Sequence, residues 1–283
     1  MGTQNFYKFQ SVKNDDLSKD DALDALFNSY AVFSGRKNFN DLFDSKIDIV
    51  YPTPQQVLNE INRNNIIEKM IPIVSGWISN GEFTPAATQS MREFESIVND
   101  DLDTYAIYCL SKYNNSNLLW AHYANSHTGF CFELEFSGVP PLKATYQEHI
   151  GTIPLLDWFV KINSSHREDI SIEQLLVKLH YWSYEGEYRW IAQKSLVEIP
   201  KNVKIVKLKF DPNLIKTTAV IFGCRMPSCV KNFIRTNLPY KAEFQQAVAR
   251  KDYIEIVPFN ECVHLEAQCS HCVEKLNRIG AGA

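Results

Sequence analysis

The rhythm of apolar and polar positions changes several times along the chain, and each change marks an element. FYKFQS at residues 6–11 alternates like a short aromatic strand. After the charged turn KNDDLSKDD, ALDALFNSY carries the 3.6-residue period of a helix, and Asp20 and Asp21 suit its positive N-terminal end. AVFSG reads as a strand, followed by a turn at Gly35, Asn38 and Asn40 and a second extended stretch ending in DIVY. PTPQQ opens a helix with Pro54 in its first turn, and apolar residues at spacings of three and four (Val57, Leu58, Ile61, then Ile66, Ile67, Met70, Ile71, Val74) predict a helical insert over about 55–100, broken at SNGEFTPAA.

From Thr104 the texture turns to strands: YAIYCLSK, LLWAHYA after an Asn-rich turn, and GFCFELEF. Residues 153–182 read as helix-rich, with SIEQLLVKLHYW in helical period and Ser171 as its cap. EYRWIA, VKIVKLKF, TAVIFG and YIEIVPF predict further strands, and PSCVKNFIRTNL a helix entered at Pro227. No regular βαβ alternation runs through this order. The expected fold class is therefore α+β, with a mixed, mostly antiparallel β core in one domain over residues 1–258, and a tail over 259–283.

Composition narrows the classes little further. Lys and Arg number 29 against 33 Asp and Glu, a net charge of −4, so no overall field draws the chain to phosphate backbones. No apolar run approaches the length of a spanning helix, and MGTQNFYKFQ has neither a hydrophobic signal region nor the residue a myristoylation site needs at Phe6, which predicts a cytoplasmic, non-membrane protein. The seven cysteines are odd in number and irregularly spaced, so reduced thiols are expected, with Cys109 and Cys131 as small core residues. In the tail, Cys262, Cys269 and Cys272 with His264 and His271 are candidate zinc ligands, although the cluster is too short for a usual paired module and fits an amphipathic helix equally. Phosphate-binding glycine loops, HExxH and GxSxG are all missing.

Three clusters mix aromatic and ionisable residues. In YWSYEGEYRW, Glu185 and Glu187 lie two apart, which on a strand aims both at one face. Like charges so placed push one carboxyl toward protonation while Arg189, on the same face, holds the other ionised, the division of labour that acid–base catalysis uses. The alternative is a solvated face with one Glu–Arg pair. In LLWAHYANSHTGFCFELEF, His122 and His127 are candidate ligand-contacting groups, Trp120 and Tyr123 can stack a planar ring, and Glu133 and Glu135 form the polar side of a half-buried strand. In FNDLFD, Asn40 and Asp41 suit a turn that Phe39 and Phe43 clamp to the core, with Asp41 or Asp44 as the alternative functional groups.

These clusters, with YKF at Tyr7–Phe9 and IFGCRMP at Ile221–Pro227, resemble the bacterial DUF2971 family, whose function is unknown; the resemblance covers residues 5–258 and departs at Leu42, where the family carries Pro. In arrangement the family is similar to ADP-ribosyltransferases. That similarity implies an NAD-dependent enzyme of bacterial defence or a toxin, acting on a protein or nucleic-acid acceptor, with Glu187 as the catalytic carboxylate, Glu185 and His122 assisting, Trp120 or Tyr123 stacking nicotinamide, and Tyr7, Lys8 and Arg189 in the cofactor site. Lys8 stands where those enzymes place His or Arg. Two alternatives accompany this reading: a non-catalytic module that senses a ligand or partner, and a metal-dependent nuclease using Asp41, Glu133, Glu135 and Glu187.

Overall fold

The computed structural model describes residues 2–160, 164–193 and 205–259. The chain opens with strand β1 (Gln4–Gln10), helix α1 (Asp21–Phe27), β2 (Tyr30–Ser34) and β3 (Ile47–Val50). The insert follows as α2 (Pro54–Asn62), α3 (Ile71–Ser75), the small hairpin β4 (Ile78–Ser79) and β5 (Glu82–Phe83), and α4 (Pro85–Leu102). Next come β6 (Tyr105–Ser111), α5 (Asn117–Tyr123), β7 (Phe130–Phe136), β8 (Leu142–Lys143), β9 (Thr145–Gln147), β10 (Gly151–Pro154) and α6 (Ser164–Leu175). The chain continues through β11 (Val177–Leu179), a 3-10 helix at His180–Glu185, β12 (Glu187–Gln193), β13 (Ile205–Lys209), β14 (Ile215–Phe222), α7 (Ser228–Asn237), β15 (Glu243–Ala249) and β16 (Ile254–Pro258).

Local chemistry explains most of these boundaries. Asp20 caps α1 by accepting from the backbone N–H groups of Ala22 and Leu23, and Thr53 and Gln56 form a reciprocal capping box at α2. Asn80 and Gly81, both in the left-handed region, make the two-residue turn of the β4–β5 hairpin.

The main sheet runs β13-β2-β6-β1-β7-β14-β15-β16, with β12 added along β6 and β8 along β12. Every pairing in it is antiparallel except β14 with β15, so the expected mixed and mostly antiparallel core is present. Phe6, Phe33, Phe130, Phe132 and Phe222 meet Leu23 and Leu26 of α1 and Val230 and Ile234 of α7 on one face. Each such buried side chain contributes about 1.5–3 kcal/mol. The other face carries α5, whose Leu119 and Trp120 pack on Phe9, Cys131 and Ile221. The insert buries Val57, Val74, Trp77, Met91, Val98 and Leu102 against Tyr105 and Ile107 of β6.

Three expectations fail here. LLWAHYA is helical, because Ser116 at the end of the Asn-rich turn accepts from the Leu119 N–H and starts α5. SIEQLLVKLHYW is not one helix: Ser171 lies inside α6, fully buried, and the helix stops at Leu175, after which β11 pairs in parallel with β9 (Lys178 opposite Tyr146). Phe43 is 48% exposed and clamps nothing, whereas Phe39 does pack on the insert's core. The candidate zinc residues Cys262, Cys269 and Cys272 lie outside the described residues.

Strand β6 has an uneven partner on one edge. It meets β1 at Ser111 (opposite Tyr7) and β2 at Ile107 (opposite Ser34), with neither strand paired to Cys109 between them. A cavity of about 200 Å³ fills this fork, lined by residues of all three strands and by Asp44, Tyr123, Lys178, Glu185 and Glu187.

Candidate active site

Beneath the cavity lies a buried group of five charged side chains brought from four places in the chain, and four of the five line it. Asp44 ends the FNDLFD turn, in which the Asp41 carboxylate accepts from the Phe43 N–H, the local bond that makes Asx residues turn formers. Lys178 comes from β11, Glu185 from the end of the 3-10 helix, and Glu187 and Arg189 from one face of β12. All five are almost fully buried.

Glu185 is not on the strand. Gly186 sits between the two glutamates with φ +50, and a Cβ there would lie 2.4 Å from the Tyr113 ring. That left-handed residue turns the chain from helix to strand and lets Glu185 and Glu187 converge. The expected convergence is present; a turn, not strand alternation, produces it.

The hydrogen bonds close almost completely. Lys178 Nζ donates to Glu185 and Glu187 and lies 3.3 Å from Asp44 Oδ2. Arg189 donates from Nε to Glu187 Oε1 at 2.6 Å, from one terminal nitrogen to Asp44 Oδ1 at 2.6 Å, and from the other to Ser45 Oγ and the Leu175 carbonyl. Tyr123 donates its hydroxyl to Glu185 Oε1 at 2.6 Å. Tyr146 fixes the strand from behind by accepting the Glu187 N–H at 2.8 Å.

Three carboxylates against two cations leave one negative charge too many for a buried site, and a proton is the simplest remedy. The group that takes it is Glu185. Burial raises its carboxyl, the neighbouring Glu187 adds to this, and the Lys178 and Tyr123 contacts only partly offset them, leaving it at about 7. Burial also works against the charge of Glu187, but the Arg189 guanidinium and the Lys178 ammonium outweigh it and hold that carboxyl well below the usual range. Lys178 itself is kept charged: burial disfavours the ammonium, and Glu187, Asp44 and Glu185 more than reverse it.

Lys8 and Tyr7 enter from β1. Lys8 Nζ donates to the Cys109 carbonyl at 2.9 Å, filling the gap in the fork, and lies 4.6 Å from the Tyr108 ring centre. Burial lowers its pKa. Tyr7 lines the cavity, but its hydroxyl is spent on Glu133 at 2.7 Å. Cys109, expected in the core, is half-buried and lines the cavity as a free thiol.

The remaining predicted residues divide. Trp120 is fully buried, with its indole N–H on the Asn114 carbonyl and its ring edge-on to Phe9, so no face is left to stack a ligand. Arg189 is fully enclosed behind Glu187 and does not line the cavity. His122 is exposed on α5 among Tyr123, Trp182 and Tyr184, at ring separations of 6.3–6.4 Å, and lines a wider groove of about 890 Å³ outside the cavity. His127 follows α5 in the left-handed backbone region, with φ 71, and lines neither space. Lys8, Phe39, Asn40 and Tyr123 line both spaces, so cavity and groove are continuous. Glu133 faces Tyr7 and Thr218, away from Glu187's partners, and Asp41 stays in its turn. Lys178 fills the point where the carboxylates meet, and among the described residues no group of three His, Cys, Asp or Glu is arranged to hold a metal ion.

Sequence reasoning missed Lys178, Asp44's part in the cage, Ser45 and Tyr146. Lys178 carried one signal, a lone cation in an otherwise apolar VKL. No helix among the described residues is long and apolar enough to cross a membrane. No protein-family model, no curated protein and no solved structure matches this chain.

Proposed function

We propose that the cavity is an active site for acid–base chemistry at a glycosidic bond, with Glu185 as the proton-carrying group and the nicotinamide–ribose bond of NAD as the bond cut. The observation that carries this reading is a pair of adjacent buried carboxyls with unlike partners: Glu187 is held between Lys178 and Arg189, whereas Glu185 gives one oxygen to the neutral Tyr123 hydroxyl and is raised by burial to about 7. A group that titrates near the working pH is the most effective proton carrier.

In this reading Glu185 takes the proton from the attacking acceptor hydroxyl, amine or water. With Glu185 ionised the cage carries one surplus negative charge, which stabilises the oxocarbenium-like centre that forms as nicotinamide leaves. Tyr123 orients Glu185 by its 2.6 Å hydrogen bond. The resemblance described above gives the leading role to Glu187; both its oxygens are held by cations, Lys178 and Arg189, whereas one Glu185 oxygen meets only the neutral hydroxyl of Tyr123, which favours Glu185 instead. The 200 Å³ cavity falls short of the roughly 300–1,000 Å³ of a ligand site, and the groove that continues it supplies the rest for a dinucleotide.

The test is nicotinamide release from NAD, alone and with cell-extract protein or nucleic acid as acceptor. Release should rise with pH through about 7, and Glu185→Gln should lower it by about 10²–10⁴-fold. Glu187→Gln should also move the pH profile to the acid side, since Glu187 is one of the groups that raises Glu185. No release under any of these conditions would overturn the reading.

One observation favours a second reading, a module that binds such a ligand without turnover. Every carboxylate oxygen in the cage already has a partner, as in a rigid binding floor. NAD binding by calorimetry without nicotinamide release would select it.

A further inference from the structure

Two lysines face this cavity in opposite surroundings. Lys178 meets three carboxylates and is fixed as an ammonium. Lys8 has no carboxylate within ion-pair distance among the described residues, and its one hydrogen bond goes to a neutral acceptor, the Cys109 carbonyl. Its other neighbours are the Tyr108 ring and Cys109 on β6, Cys131 on β7, and, at longer range, Glu185 and Glu187. The lysine also borders both the cavity and the groove.

We infer that Lys8 is a carbonyl-reactive amine, which takes the aldehyde or ketone group of a small ligand as an imine. Geometry supplies what this chemistry needs: an amine in a cavity that also holds a proton-carrying carboxyl and a tyrosine hydroxyl. Desolvation favours the free amine, and the pull of Glu185 and Glu187 toward the ammonium does not overcome it. The amine lone pair attacks the carbonyl carbon, forming the C–N bond, and the carbonyl π pair moves to oxygen. An amine proton is transferred to that oxygen, with Glu185 as carrier. The carbinolamine then expels its hydroxyl as water, taking a second proton, while nitrogen closes the C=N bond. Amine plus carbonyl gives imine plus water, with no change of oxidation state.

The identity of a natural partner rests on the glycosidic reading: a ribosyl group cut from its base is a masked aldehyde at the anomeric carbon. The reactivity of Lys8 does not rest on it, and the probe separates the two. The intact protein is treated at pH 7 with limiting formaldehyde and sodium cyanoborohydride, which reduces each imine to a methylamine, and the methylation rate of every lysine is read by peptide mass spectrometry. Lys8 should be methylated measurably faster than exposed lysines such as Lys19 and Lys37, with a rate that levels off at lower pH, while Lys178 stays unmodified until urea unfolds the chain. Methylation of Lys8 at the rate and pH dependence of the exposed lysines, or none while those react, overturns the inference. Fast labelling of Lys8 in a protein that releases no nicotinamide would sink the glycosidic reading and leave this one standing.

Discussion

Each wall of the cavity carries a lysine, and the two are put to opposite ends. On the wall of β11 and β12, Asp44, Glu187, Lys178 and Arg189 saturate one another, and nothing there is free to move a proton. On the wall of β1 and α5, Lys8 and Tyr123 each spend one bond and face open space. Glu185 belongs to both, tied to Lys178 by one oxygen and to Tyr123 by the other. The difference teaches that a buried charge is made reactive by incomplete compensation. A complete cage fixes protonation states, and its one surplus charge appears as a titrating group at the seam.

Breaking the cage is the harshest way to test this contrast. Lys178→Met leaves three buried carboxylates with one cation, and should cost about 3–5 kcal/mol of unfolding free energy in urea titrations. Adding Glu187→Gln to that variant should recover part of the loss, because the surplus charge is reduced. If Lys178→Met unfolds like the parent, the cage is not the rigid wall described.

A smaller effect comes from the hinge between the glutamates. Gly186→Ala places a methyl against the Tyr113 ring at a left-handed backbone position and should lower stability by about 1–3 kcal/mol. It should reduce nicotinamide release more than NAD binding, since it misplaces Glu185 relative to Glu187 and leaves the Lys8 wall intact.

A third effect is in the pH dependence of stability, and its sign differs between the two carboxyls. Glu187 is lowered on folding, so its contribution is present above its ordinary 4.5 and is lost as pH falls below it. Glu185 is raised, so the folded protein binds more proton, and its contribution is full below 4.5 and is lost as pH rises through about 7. Urea titrations at pH 4.5, 6 and 7.5 should show a decline toward the higher pH. Glu185→Gln should flatten that decline; an unchanged slope would place the proton elsewhere.

The sequence was most legible where signals are local. Alternation in GFCFELEF gave β7, Asp20 and Asp21 marked the start of α1 and Pro54 that of α2, and the spacing of Glu185, Glu187 and Arg189 pointed to two carboxyls beside one guanidinium. The parts that stayed hidden depend on distant pairing. LLWAHYA has the apolar density of a strand, and only the cap at Ser116 tips it to helix. Lys178 leaves the helical period because β9, more than thirty residues earlier, recruits VKL as a parallel strand. Asp44 reads as a turn residue, and its bond to Arg189 spans 145 positions that no local pattern encodes.

The central claim is that Glu185 and Glu187, two residues apart and nearly touching, titrate far apart. Carbon-13 NMR of the side-chain carboxyls in glutamate-labelled protein, with Glu185→Gln and Glu187→Gln to assign the signals, measures this directly. The account predicts that the Glu185 signal titrates near 7 and that the Glu187 signal remains that of a carboxylate well below 4.5. Two signals that both titrate near 4.5 would contradict it.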